Sequence, residues 1–312
     1  MGAVSRLVVI LWGMHAFGAP ALLSETGLYQ SILGKEVQDS NRPFSPQYPL
    51  WSDGSLKERW VYLPEVIDVS DAERWVFPTG TKFWKEFSFS GKRVETRYME
   101  KINEFEWSFA TYLWNESETE ATLAPEDGIE NYAPLPNGKK HDIPSVTQCL
   151  RCHRGASDPL LGFDALGLSA DRDPNALHRE SFSAEDLDLA QMLRDKMVTA
   201  SPALLNAGAP KIHATTATGR ALLGYLHTNC ASCHQAGGSA ANLGLQLRHN
   251  LDAKSESETK AFQTSINVFA FNFSIPGEDR SLRVAPGAPE KRAFYYMLPT
   301  DVASHMPPTG TY

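Results

Sequence analysis

The chain has 312 residues, enough for two or three domains with real cores, and its 42% hydrophobic and 10% aromatic content excludes a disordered or low-complexity protein. Its 29 basic residues stand against 37 acidic ones, a formal charge of −8 that argues against nucleic acid as a partner. Cysteine is scarce, with four in the whole chain.

Arg6 precedes an uncharged, mostly apolar run from Leu7 to Gly18, and Ala19, Pro20 and Ala21 supply small residues for cleavage. That order is the order of a secretory signal peptide. The run is too short for a confident membrane span of about 20 residues. The expectation is a signal at residues 1–21, export to the periplasm, and no transmembrane segment after cleavage. No cysteine lies near the cleavage site to carry a lipid anchor.

From about Pro46 to Leu135 the chain is rich in aromatic and β-branched residues. Phe83, Phe87 and Phe89 alternate with Lys82, Glu86 and Ser88; Ser90 and Gly91 break the run, and Val94, Thr96 and Tyr98 resume it. Trp107 to Trp114 makes a further run. The alternation predicts an antiparallel meander, and a small β-sandwich once the strands around Trp60 to Val69 are added. Core packing accounts for most of its aromatic rings, although Trp51 and Trp114 would also suit the surface of a binding module.

The character changes near residue 140. Cys149, Cys152 and His153 form one Cys-x-x-Cys-His motif, and Cys230, Cys233 and His234 form a second. This spacing is the c-type haem attachment signature: two thiols add to the vinyl groups of one porphyrin, and the adjoining histidine reaches the iron. A zinc ribbon spaces its pairs by only about 15–20 residues, a thioredoxin-like motif wants a βαβ unit, and two local disulfides leave both histidines unused. The motifs therefore predict two covalently bound haem c groups. Pro144 lies five residues before Cys149 and limits any helix there to a single turn, and residues 154–174 read as loop.

Ser183 and Asp186 read as an N-cap pair opening a helix with Leu189, Met192, Leu193 and Met197 near one face. A helix from about Thr218 to Asn229 delivers the chain to Cys230, with Leu222 and Tyr225 on its apolar side. Lys260 to Ile266 and Pro289 to Met297 read as further short helices, the latter with proline at its first position. Met306, followed by Pro307 and Pro308, stands where a distal thioether returns over the second haem, with His305 and Met297 as competitors. For the first haem, His178 ranks ahead of His141, His213, Met192 and Met197, the two methionines being better core candidates; an open sixth position is the other choice.

Tyr48-Pro-Leu-Trp51-Ser-Asp-Gly54, Trp75-Val-Phe-Pro-Thr-Gly-Thr81, Val94-Glu-Thr-Arg97 and Tyr112-Leu-Trp-Asn115 carry a resemblance, with His141-Asp-Ile-Pro-Ser145 and Gly224-Tyr-Leu-His-Thr-Asn229 ahead of the two motifs. The chain resembles an uncharacterised family of exported dihaem c-type cytochromes with an N-terminal β-rich region. The resemblance covers most of the mature chain and implies a redox role. Cytochrome c domains of this kind continue after Met-Pro-Pro into a closing helix, whereas this sequence stops at Tyr312.

The expected fold is α+β multidomain. A β-rich domain at 22–140 precedes two small, mostly helical cytochrome c-like haem domains, at 141–215 and 216–312. The expected function is electron transfer to a redox partner protein. The alternative is a peroxidase-like dihaem oxidoreductase with one open haem.

Overall fold

A computed structural model of the protein describes residues 18–153, 160–199, 208–271, 273–288, 292–298 and 306. Two short ribbons flank the main sheet on its N-terminal side. One pairs β1 (Tyr29–Ser31) with β2 (Glu36–Val37), the other pairs β5 (Asp68–Asp71) with β6 (Arg74–Val76). The main sheet contains β3 (Arg42–Pro43), β4 (Leu56–Tyr62), β7 (Lys82–Phe89), β8 (Lys92–Lys101), β9 (Trp107–Trp114) and β10 (Ala121–Leu123). It is antiparallel throughout, in the order β10-β9-β8-β7-β4-β3. A last ribbon, β11 (Ile129–Pro134) with β12 (Lys140–Ile143), leads into the first cysteine motif.

Both faces of this sheet are covered, because β7 buries side chains on both of its sides. Phe83 and Phe87 point one way, Trp84 and Glu86 the other, and all four are buried. The Trp84 face packs Trp60, Tyr98, Tyr112 and Trp114 against Leu23, Leu28 and Tyr29 of the N-terminal arm. Two polar bonds lock this arm in place: the Trp84 indole donates to Thr26 Oγ1 at 2.9 Å, and the Tyr29 hydroxyl donates to Glu86 at 3.0 Å. The Phe83 face packs Val61, Phe44 and Phe77 against Phe163, Leu187, Met192 and Val198 from the second half of the chain.

Five short helices complete the described structure: α1 (Val146–His153), α2 (Leu189–Arg194), α3 (Ala217–Asn229), α4 (Lys260–Ser265) and α5 (Ala293–Met297). None of the described helices is long and apolar enough to cross a membrane. The expected fold is therefore corrected. The protein is mostly β, built on one six-stranded sheet, and its second half does not form two small, mostly helical cytochrome c-like domains. Among the described residues no second sheet stacks on the first to make a sandwich, since β4 pairs beside β7 in the same sheet. The physical reason is cover. A sheet with two apolar faces needs material on each, and the glycine- and proline-rich loops of the second half supply it instead of folding around themselves.

Candidate haem-binding site

The first motif is positioned from the sheet. On β12, buried His141 places Nδ1 at 2.7 Å from Asp53 Oδ2 and Nε2 at 3.0 Å from Glu95 Oε1 on β8. Burial pulls its pKa down, but the hydrogen bonds of Asp53 and Glu95 prevail and lift it to about 9. Four residues later Ser145 forms a reciprocal cap with Gln148: the Ser145 N–H donates to Gln148 Oε1 at 2.8 Å, and the Gln148 N–H donates to Ser145 Oγ at 3.1 Å. This cap starts α1 directly after Pro144, and α1 holds all three motif residues. Burial pushes the Cys149 thiol up, while the nearby Arg97 guanidinium pulls it down. The His153 ring lies 5.4 Å from that of Phe109 on β9.

The second motif follows α3. Thr216 caps that helix by accepting from the Gly219 N–H. Midway, Gly224 lies so close to Tyr48 that a Cβ there would meet the ring at 2.1 Å. His227 Nε2 lies 3.2 Å from Asp164 Oδ2, and its Nδ1 accepts from the His249 N–H at 3.1 Å. Asn229 accepts from the Trp51 N–H at 2.7 Å and donates to the Pro49 carbonyl at 3.3 Å. Tyr48 to Asp53 thus touches the segments leading into both motifs, α3 through Tyr48 and Trp51 and β12 through Asp53. Cys230 is half-buried, and desolvation pushes its thiol up to about 12. His234 is buried with Nδ1 lacking a hydrogen-bond partner, and burial, aided by Arg283, lowers its pKa. A neutral imidazole is the form that ligates iron.

The two motifs meet. Cys233 Sγ lies 3.8 Å from the Arg151 carbonyl oxygen, 82 positions away in sequence. The neighbouring Cys233 raises the Cys152 thiol, and Cys152 in turn lowers that of Cys233. All four cysteines are free thiols. A thioether-bonded porphyrin asks each motif for two thiols and one imidazole, and the donor set here supplies that twice. The orphaned, buried Nδ1 of His234 marks an imidazole whose surroundings are unsatisfied by protein alone. The residues present therefore fit haem.

The remaining candidates separate. Met306 is half-buried and its N–H donates to the Met297 carbonyl at 2.7 Å, which ties it to the end of α5. That helix is in turn bonded to the Arg283 segment beside His234, since the Phe294 N–H donates to the Arg283 carbonyl at 3.2 Å. His305 lies outside the described residues. His178 sits at φ 57° beside the second motif's helix, its ring 4.2 Å from Trp51 and 6.0 Å from Tyr225. Met192 is fully buried in the core against Val61 and Phe83, and Met197 packs on the same cluster. His141 has both nitrogens committed to carboxylates. His213 is half-buried near His249. Leu222 is half exposed, and Ala221, Leu223 and Gly224 form the buried face of α3.

Asp53, Glu95 and Tyr48 do as much to place the motifs as any residue the spacing pointed to. They were visible only as members of the segments Tyr48 to Gly54 and Val94 to Arg97. No family model, no curated protein and no solved structure matches this chain.

Proposed function

We propose that the protein is an exported dihaem c-type cytochrome that passes electrons to a partner protein. Cys149 and Cys152 would hold one haem with His153 as its ligand, and Cys230 and Cys233 the other with His234. The haems supply the one-electron chemistry. The chain's own work is to orient them, bury them and set their ligands. The reading is carried by one observation: two complete Cys-x-x-Cys-His motifs are brought together in the fold, with Cys233 Sγ of the second 3.8 Å from the Arg151 carbonyl oxygen inside the first. Haems held at neighbouring motifs would pass an electron from one to the other. Met306, beside α5, is the proposed second ligand of the second haem, which closes that iron to added ligands. The negative charge of the chain suits a basic redox partner.

The test is haem content and carbon monoxide binding in the exported chain. The expected result is two haems that stay with the denatured polypeptide in acidified organic solvent. The reduced second haem should bind carbon monoxide only after Met306→Ala. Extraction of the colour, or recovery of fewer than two haems, overturns the assignment.

A further inference from the structure

A cleft of about 900 Å³ opens between β4 and the loop at residues 178–186. That is the upper part of the range of about 300–1,000 Å³ in which small-molecule sites fall. Its most buried lining is an ion triad. Glu180 accepts from Arg59 Nη2 at 3.1 Å and pairs with Lys57 at 3.0 Å, and the Lys57 ammonium donates to the Leu50 carbonyl at 2.7 Å. The Lys57 and Arg59 side chains are only 4% and 5% exposed. Charges this buried persist only where partners hold them. Around the triad the lining adds Arg179, Glu58, Glu185 and Asp186, so the whole wall carries four carboxylates and three cations. His178 adds no charge, because burial and then Lys57 lower its pKa.

Aromatic rings make up much of the remaining wall, and two of them are braced. Trp51 has the His178 ring 4.2 Å away, and its N–H donates to Asn229 at 2.7 Å. His178 is held at φ 57°, a left-handed conformation that costs a residue with a side chain and persists only where its surroundings impose it. Phe182, 40% exposed, has the Arg172 guanidinium 4.3 Å from its ring centre.

This mixture restricts the ligand. An anion meets four carboxylates, and a cation meets Lys57, Arg59 and Arg179. A flat apolar molecule would strip water from the triad and put nothing polar in its place. A molecule with hydroxyls around its edge and C–H groups on its faces meets none of these costs. Its hydroxyls donate to carboxylates and accept from guanidinium and ammonium groups, while its faces lie on aromatic rings.

We propose that the cleft is a binding site for a neutral carbohydrate, with Trp51 and Phe182 as the rings on which the sugar lies. The proposal stands apart from the dihaem reading, since no residue of either cysteine motif lines the cleft.

The experiment is titration calorimetry of the full exported chain with neutral oligosaccharides of glucose, galactose, mannose and N-acetylglucosamine. Oligogalacturonate, spermidine and free amino acids serve as charged controls. The expected result is that at least one neutral series binds, that the controls do not, and that Trp51→Ala and Phe182→Ala each weaken binding by about tenfold or more. Phe182 stands well out in solvent, so its removal spares the fold should the Trp51→Ala chain not accumulate. Three outcomes each overturn the proposal: no neutral oligosaccharide bound with a Kd below about 10 mM, binding confined to the controls, or neutral binding unchanged by Phe182→Ala. Haem content is read separately on the same sample, and its loss would defeat the dihaem reading without touching this one.

Discussion

His141 shows how one side chain ties the sheet to the first motif. With a carboxylate at each ring nitrogen it is held as an imidazolium, although burial alone would discharge it. The folded chain keeps that proton to about pH 9, while the unfolded chain loses it near 6.5. Its stabilisation is therefore complete below pH 6.5 and disappears as the pH rises to about 9. Urea midpoints across that window should fall. His141→Leu should flatten this stretch of the profile and cost about 3–5 kcal/mol, because Asp53 and Glu95 would be left buried without their cation. A profile unchanged by the substitution would show that the imidazolium is not formed. No local pattern could announce this triad: Glu95 is 46 positions from His141 and Asp53 is 88. What could be read was only that Glu95 and Arg97 share a strand face.

The helices show how far local signals reach. Ser183 with Asp186 reads as a helix start, yet α2 opens at Asp188, whose carboxylate accepts from the Gln191 N–H at 2.6 Å. The first pair closes a turn, with the Ser183 N–H on Asp186 Oδ2 at 3.0 Å. The helix expected from about Thr218, itself a possible cap, is α3, and its cap is Thr216, two residues earlier. The proline expected to open the last helix lies outside the described residues, and α5 starts at Ala293. The most demanding position in these helices is Gly224, against which the Tyr48 ring rests. Gly224→Ala should cost about 1–3 kcal/mol by overpacking and push α3, with Cys230 at its end, away from Tyr48. Denaturation midpoints and haem yield at the second motif should drop together. Unaltered stability would mean that Tyr48 yields at no cost.

Two cores draw residues from both halves of the chain, and a third holds the N-terminal arm on the sheet. Phe83 and Met192, Tyr48 and Leu223, Trp84 and Leu23 are pairs drawn from distant parts of the chain into single clusters. The N-terminal arm belongs to this whole, which bears on processing. The Tyr112 hydroxyl donates to the Pro20 carbonyl at 2.8 Å, and the Leu123 N–H donates to the Ala21 carbonyl at 3.0 Å. A cut after Ala21 would remove both acceptors. Ala16 and Gly18 are also small, so cleavage between Gly18 and Ala19 keeps the arm intact and satisfies the small-residue requirement. Intact mass of the exported protein should place its first residue at Ala19. A chain beginning at Leu22 would contradict this.

The two Cys-x-x-Cys-His motifs were legible from the sequence because their pattern is local: two thiols and an imidazole within five residues need no knowledge of the fold. Strand alternation in β7 and β8 was legible for the same reason, as was the helix leading to Cys230. The tertiary structure decided everything that depends on distant partners. It covered both faces of β7, so Trp84 and Glu86 are as buried as Phe83. It drew the second half over the sheet and left no pair of helical domains. It brought Cys233 to the Arg151 carbonyl of the first motif, set Asp53 and Glu95 around His141, and left Lys85 between two cations. Such contacts depend on how apolar faces find cover and how buried charges find partners, and those requirements are met only when the whole chain has packed.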